Sequence, residues 1–365
     1  VAIPAGARRI DARGKVVTPG LFDSLSRLGL VEVDAVDGSS DKGVEGDRFN
    51  AAFNVVDALN PRSSLIPVNR IEGLTRTLVA PEPEGSLIAG QGAVIHLGTG
   101  DLVLRSPAAM VAVLGEGGAE RAGESRGAAI LRLREALQDA RDYAENRSAF
   151  DRGERRDYAL SRLDLDALIP VVRGELPLLL IAHRASDLEA GLRLMREFNL
   201  KLILAGASEG WVVARQLAEA KVPVLVSTLN NLPERFEMLG ATLENAARMQ
   251  AAGVTVAFMS SDAHNARNVR QAAGNAVAYG MPWEAAMAAL TTVPARIWGL
   301  SDRYGTLEPG KEADVVIWDG DPLEVTTFAD QVFIRGVEIP MESRQTRLRD
   351  RYKDLSGELP PAYRN

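Results

Sequence analysis

Short apolar runs recur along this chain at Leu74–Ala80, Ala93–Leu97, Met110–Leu114, Leu178–His183, Leu202–Ala205, Val222–Val226 and Val254–Met259. Few of them alternate cleanly with polar residues, which is the signature of strands covered on both faces. Between the later runs, apolar residues fall at i, i+3 and i+4 over Asp187–Phe198, Glu209–Ala220 and Leu243–Ala251, which predicts helices. An earlier stretch, Val16 to Gly29 (VVTPGLFDSLSRLG), begins with β-formers, breaks at Pro19-Gly20 and resumes as an apolar segment. Counted as a strand, it brings the total to eight. Eight buried strands alternating with helices predict an α/β protein folded as a (β/α)8 TIM barrel.

Three regions depart from that alternation. Residues 30–73 are rich in turn-formers and charges, with one amphipathic piece from Phe49 to Leu59 that predicts a helix. A loop this long directly after the first strand is expected to overhang a site. Residues 115–174 carry a long charged helix over Ala128–Asn146 in place of a simple crossover. After the last run, Asn265–Gly280 and Pro282–Thr291 predict two closing helices, the second with Pro at its first position and Glu284 in its first turn. From Tyr304 the pattern turns to short strands and tight turns. Paired with the extended first residues, these predict a small composite β-sandwich formed from both chain ends. The expected division is therefore 1–18 as the N-terminal part of the sandwich, 19–300 as the barrel, 301–342 as the C-terminal part and 343–365 as a polar tail.

Composition narrows the function. A hydrophobic fraction of 46% over 365 residues supports a substantial core, and a net charge of -7 speaks against nucleic acid or an anionic membrane as the main partner. No run approaches the roughly 18 apolar residues of a membrane-spanning helix. The absence of cysteine removes disulfides, thiolate ligands and a cysteine nucleophile together, and fits an oxidising compartment such as a bacterial periplasm better than the cytoplasm.

The candidate chemistry begins with Asp23, Leu25 and Arg27, which period-two alternation would place on one side of a strand. One carboxylate, one apolar side chain and one guanidinium make an unusual set for an active-site strand. The chain has three histidines, His96, His183 and His264. His96 in its apolar run reads as a hydrogen-bonded core residue or a pocket-lining one. Asp262, His264 and Asn265 stand at a strand-to-helix junction, where capping is a sufficient reason for a short polar side chain and is compatible with lining a pocket. Gly90-Gln91-Gly92 reads as a tight turn, and neither a phosphate loop nor a Gly-x-Ser-x-Gly elbow is present in the sequence.

Four segments carry a family likeness: VVTPGLFD (16–23), AHRASDLEAGLRLMREFNLKLIL (182–204), SSDAHNARNVRQAAGNAVAYGMPWEAAMAALTTVPARIWGL (260–300) and YGTLEPGKEADVVIWDGDPLE (304–324). In them the chain resembles the amidohydrolase superfamily, in its imidazolonepropionase-like and prolidase-like branch. The resemblance implies a metal-dependent barrel that hydrolyses C–N bonds of amides, cyclic amides or peptides. It also implies a ligand set: two histidines in Asp-x-His-x-His on strand one, a lysine or glutamate on strand four, histidines on strands five and six, and an aspartate on strand eight. Here Leu25 and Arg27 stand at the first pair, Met110–Leu114 offers neither lysine nor carboxylate, and the strand-six position falls at Ala205. His183 and Asp262 match, Asp262 being the catalytic carboxylate by resemblance and both being vestigial metal ligands.

A binuclear centre of this kind takes four histidines and cannot be assembled from three. The expectation is thus a catalytically degenerate member without a cofactor. Its alternatives are an active hydrolase holding a single divalent metal such as zinc, with His96 or His264 recruited beside His183 and Asp262, and a non-catalytic subunit partnering an active homologue. The expected partners are a small amide or peptide and a second copy or homologous subunit, with no nucleic acid and no membrane. Asp23, Arg27, His96 and His264 are expected to line the pocket, and Arg27 to replace the metal's charge by pairing with Asp262 or Asp23.

Overall fold

The computed structural model describes residues 6–46, 49–229, 232–353 and 356. Its strands are β1 (Val16–Pro19), β2 (Leu21–Ser26), β3 (Leu74–Val79), β4 (Ile88–His96), β5 (Val103–Val113), β6 (Leu178–Ala182), β7 (Leu202–Gly206), β8 (Val224–Val226), β9 (Val256–Phe258), β10 (Val315–Trp318), β11 (Ala329–Ile334) and β12 (Val337–Glu338). Its helices are α1 (Leu65–Arg70), α2 (Gly115–Arg121), α3 (Arg126–Asp151), α4 (Arg162–Val172), α5 (Ala185–Phe198), α6 (Ala214–Glu219), α7 (Asn245–Ala251), α8 (Val269–Ala278), α9 (Trp283–Ala288), α10 (Thr292–Ile297) and α11 (Arg344–Lys353). None of the described helices is long and apolar enough to cross a membrane.

Eight strands, β2 to β9 in sequence order, form one sheet that curls into a barrel. The ends meet through Ser261 N donating to Leu25 O (2.9 Å) and Arg27 N donating to Asp262 O (3.0 Å). Alternation splits the side chains into two sets. Leu179, Ile203, Ala205, Leu225 and Ala257 fill the interior, whereas Leu178, Leu180, Leu202, Leu204, Val224 and Val256 pack outward in the larger core that includes Leu188, Leu217 and Met249 of the surrounding helices. That double burial is why these strands read as continuous apolar runs.

The second sheet is antiparallel, in the order β1-β10-β11-β12, so both ends of the chain contribute to it. VVTP belongs here and the first barrel strand begins only at Leu21, so the Pro19-Gly20 break is the point where the chain leaves one sheet for the other. Beneath this sheet, Arg76 of β3 pairs with Asp314 at 2.5 Å and lies 3.9 Å from the centre of the Tyr304 ring, all three nearly inaccessible to solvent.

Three local expectations are corrected. First, β4 runs antiparallel to both β3 and β5, so strict alternation of parallel strands and helices fails between residues 74 and 113. Second, Gly90-Gln91-Gly92 lies within β4 and is not a turn. Gly90 has φ +126°, and a Cβ there would stand 2.5 Å from Phe53 O, so the glycine lets the 50–53 segment approach the strand. Third, Phe49–Leu59 contains only a short 3₁₀ turn at Val55–Asp57. Its backbone is bonded elsewhere: Asn50 N and Ala52 N donate to Asp164 Oδ1, and Gln91 N donates to Phe53 O. Tertiary partners thus replace the helical ladder that the amphipathic pattern suggested.

Candidate functional site at the barrel mouth

The C-terminal ends of the parallel strands surround a cavity of about 590 Å³. Leu25 and Arg27 reach it from the end of β2, Ile181 and His183 from β6, Ala205 and Gly206 from β7, and Met259 and Ser261 from beyond β9. Glu82 enters from the β3–β4 hairpin, Glu116, Glu120 and Arg121 from α2, and Glu234, Arg235 and Met238 from the segment after β8. That last segment is fastened by reciprocal bonds, Glu116 N to Glu237 Oε2 (2.6 Å) and Glu237 N to Glu116 Oε1 (3.1 Å). Burial pushes the Glu237 carboxyl above its ordinary range.

On β2 the simple alternation breaks. The register with β3 shifts between Asp23 and Ser26, so Leu25 and Arg27 line the cavity while Asp23 does not. Asp23 is fully buried against the end of β9, its Oδ1 accepting from Leu25 N (3.1 Å) and Ser260 N (3.0 Å) and its Oδ2 from the Ser260 hydroxyl. Burial outweighs these bonds and pushes its pKa up to about 7.

Arg27 is 8% exposed. Among the described residues its Nε has no acceptor and its Nη1 reaches only Ser26 O, at 3.4 Å. Among the described residues it forms no ion pair, so the expected partnership with Asp262 or Asp23 is not made. The Asp262 carboxylate instead accepts from Asn265 N (3.1 Å) and Nδ2 (3.3 Å), tying down the turn before α8. It lines a neighbouring cavity of about 190 Å³. Glu82, followed by Asp23 and Glu84, supplies the field that favours charge on Arg27, but burial dominates and lowers its pKa.

The histidines are dispersed. His183 follows β6, and its Nδ1 lies 2.9 Å from Ser208 Oγ. Burial, assisted by the Arg235 charge, lowers its pKa to about 4, so the ring is neutral at neutral pH. The ring packs over Gly206 (φ +88°), where a Cβ would stand 2.6 Å from His183 Cε1. His264 faces Asp34, with Nδ1 at 3.1 Å from Oδ2, and is not among the residues lining the mouth cavity. His96 ends β4, and because that strand runs downward it lies at the opposite end of the barrel, its Nε2 2.8 Å from Asp101 O and its ring beside Ile334 of the small sheet. The reversed strand is the reason His96 cannot meet His183.

The mouth residues that sequence reasoning passed over are Ser208, Glu82, Glu116 and Arg235. Ser208 follows a turn in which both Gly206 (φ +88°) and Ala207 (φ +45°) are left-handed, a bend that a strand pattern ending at Ala205 does not reveal. Glu82 depends on the β3–β4 hairpin, and Glu116 and Arg235 on how the segments beyond β5 and β8 fold back.

A divalent metal of the kind implied by the sequence resemblance would meet Leu25, Ala205 and a buried guanidinium at positions where imidazoles are needed. Among the described residues no three His, Asp or Glu side chains gather as a ligand group. Of the ligand set that the resemblance implies, the mouth cavity is lined by His183, while Leu25, Arg27 and Ala205 stand at three of the other positions.

The Amidohydrolase family model matches residues 138–339. Amidohydrolase tasK of Hapsidospora irregularis is 25% identical over 92% of this chain, which spans 37% of that longer protein. An amidohydrolase from Thermotoga maritima MSB8 superposes with a TM-score of 0.84 at 27% identity, covering 93% of this chain and 91% of its own. A prolidase complexed with N-methylphosphonate-L-proline shares the fold, with a TM-score of 0.56 at 16% identity over 94% of this chain and 91% of its own.

Proposed function

Because this chain belongs to the amidohydrolase family, we propose that it keeps the family's barrel-mouth cavity for a small amide-bearing ligand while lacking the binuclear metal chemistry that hydrolysis of a C–N bond would draw on. The observation that carries this reading is the Arg27 guanidinium, buried at the mouth where the resemblance calls for a metal-binding imidazole. A fixed positive charge there repels a dication, and neither Leu25 nor Ala205 has a lone pair to offer. His183 leans on Ser208 and Asp262 on Asn265, so the two residues that match the family pattern already have local partners.

What the chain's own residues support is binding. Apolar side chains such as Leu25, Ile181, Val113 and Met259 give the cavity its body, and glutamates and arginines around them give it polar anchors. The test is elemental analysis of protein purified without chelator and again after incubation with zinc or manganese, alongside hydrolysis of N-acyl amino acids and dipeptides. The expected result is no stoichiometric metal and no metal-dependent turnover. About one metal per chain, lost with activity on chelation, would instead establish a mononuclear hydrolase.

A further inference from the structure

We propose that the mouth cavity is a site for a small monocarboxylate, held by the Arg27 guanidinium. This deepens the binding reading above and rests on it. Three observations carry it. Arg27 is more than nine-tenths buried, lines the cavity and, among the described residues, leaves its Nε without an acceptor. A guanidinium taken out of water without a counter-charge is unfavourable, and an incoming carboxylate supplies both the charge and a matching planar pair of acceptors.

The second observation is that most of the cavity's acids are already engaged. Lys42 Nζ holds Glu82 at 2.8 Å, Arg126 holds Glu116 at 3.2 Å, and Arg121 faces Glu120 at 3.5 Å. Arg27 has no such partner among the described residues, and Arg235 at the rim forms no ion pair among them either. The third is the charge count. Three arginines and four glutamates line the cavity, and Lys42 and Arg126 stand behind two of those glutamates. Lys42 is shared with Glu84 (3.8 Å) and Arg126 with Asp187 (3.7 Å) and Glu237 (3.9 Å), so acids outnumber cations around the mouth; a phosphate dianion would meet more of that repulsion than a monoanion held directly on the guanidinium. Leu25, Ile181 and Met259 leave room beside the guanidinium for an apolar or amide-bearing body.

The test is the thermal midpoint of the full chain titrated at mildly alkaline pH, where inorganic phosphate is mainly the dianion, with N-acetylglycine, benzoate, the neutral amide N-acetylglycinamide, and inorganic phosphate, at matched ionic strength. The expected result is a saturable upward shift with the carboxylates and none with the neutral amide or with phosphate. Arg27→Met is expected to weaken carboxylate binding by about tenfold or more, the loss for a charge-assisted hydrogen bond. Arg27→Lys keeps the charge but not the fork, and is expected to retain binding at reduced affinity. A carboxylate shift that survives Arg27→Met, a phosphate shift of equal size, or no shift with any carboxylate would overturn the inference. Metal content measured on the same samples separates it from the reading it rests on. Stoichiometric metal with Arg27-dependent carboxylate binding overturns only the metal-free reading, whereas metal-free protein that ignores carboxylates overturns only the anion site.

Discussion

Asp23→Asn isolates the cost of the buried carboxylate that joins β2 to the end of β9. In the folded chain this group titrates at about 7 against an ordinary value of 3.8. With a raised acid the folded state holds a proton that the unfolded state has released, so stability falls as pH rises through that window. A shift of about three units at roughly 1.4 kcal/mol per unit corresponds to about 4 kcal/mol lost between the two pKa values. Asparagine suits the site: its Oδ1 can still accept from Leu25 N and Ser260 N, and its Nδ2 can donate to the Ser260 hydroxyl oxygen. His183 acts in the opposite sense. Its folded value of about 4 against 6.5 means that stability falls as pH drops through that range, by about 3 kcal/mol in all. The two slopes oppose each other, so the wild-type protein is expected to be nearly pH-indifferent across the shared interval. The assay is urea denaturation at a series of pH values from about 4 to 8. Asp23→Asn should match wild type at the acid end and exceed it by up to about 4 kcal/mol at the alkaline end, uncovering the His183 slope. Parallel curves for the two proteins, or an asparagine variant weaker at alkaline pH, would refute the reasoning.

Arg27→Met should raise stability by about 1 kcal/mol or more, because the charge it removes is buried and, among the described residues, unpaired, whereas an Arg27–Asp262 pair would have made the same change cost about 3 kcal/mol; the denaturant midpoint at neutral pH decides between them. Arg76→Met leaves Asp314 buried without its cation and should cost about 3–5 kcal/mol, read as a fall in thermal midpoint, while Arg76→Met with Asp314→Leu should recover much of it.

The barrel was legible in the sequence because its strands are buried on both faces, and short apolar runs such as Leu178–His183 and Leu202–Ala205, each followed by an amphipathic helix, fit little besides a covered parallel sheet. The direction of β4 was not legible. Its apolar content is the same whichever way it runs, and only pairing between Thr77 and Ile95 or between Gln91 and Met110 fixes it. That one reversal moved His96 from the mouth to the far end. The register shift after Asp23 similarly separated three residues that alternation had grouped, sending Asp23 into the seam and leaving Leu25 and Arg27 in the cavity. Arg27 stands out by its position in a motif, but that it does not pair with Asp262 depends on Asp262 turning toward Asn265, a choice made by the local turn and invisible to spacing.

The seam between β2 and β9 also bears on the order of events when the chain folds. The β3–β4–β5 meander joins strands adjacent in sequence, whereas the Asp23–Ser260 contact spans 237 residues. Contacts between neighbours form early, and the long loop that closes the barrel is entropically the last to be won. On that order of events the mouth cavity is completed only when the seam closes, since its Arg27 wall and its Ser261 wall belong to opposite sides of it. Substitutions at Asp23 or Ser260 should then change the rate at which the native protein opens far more than the rate at which it forms.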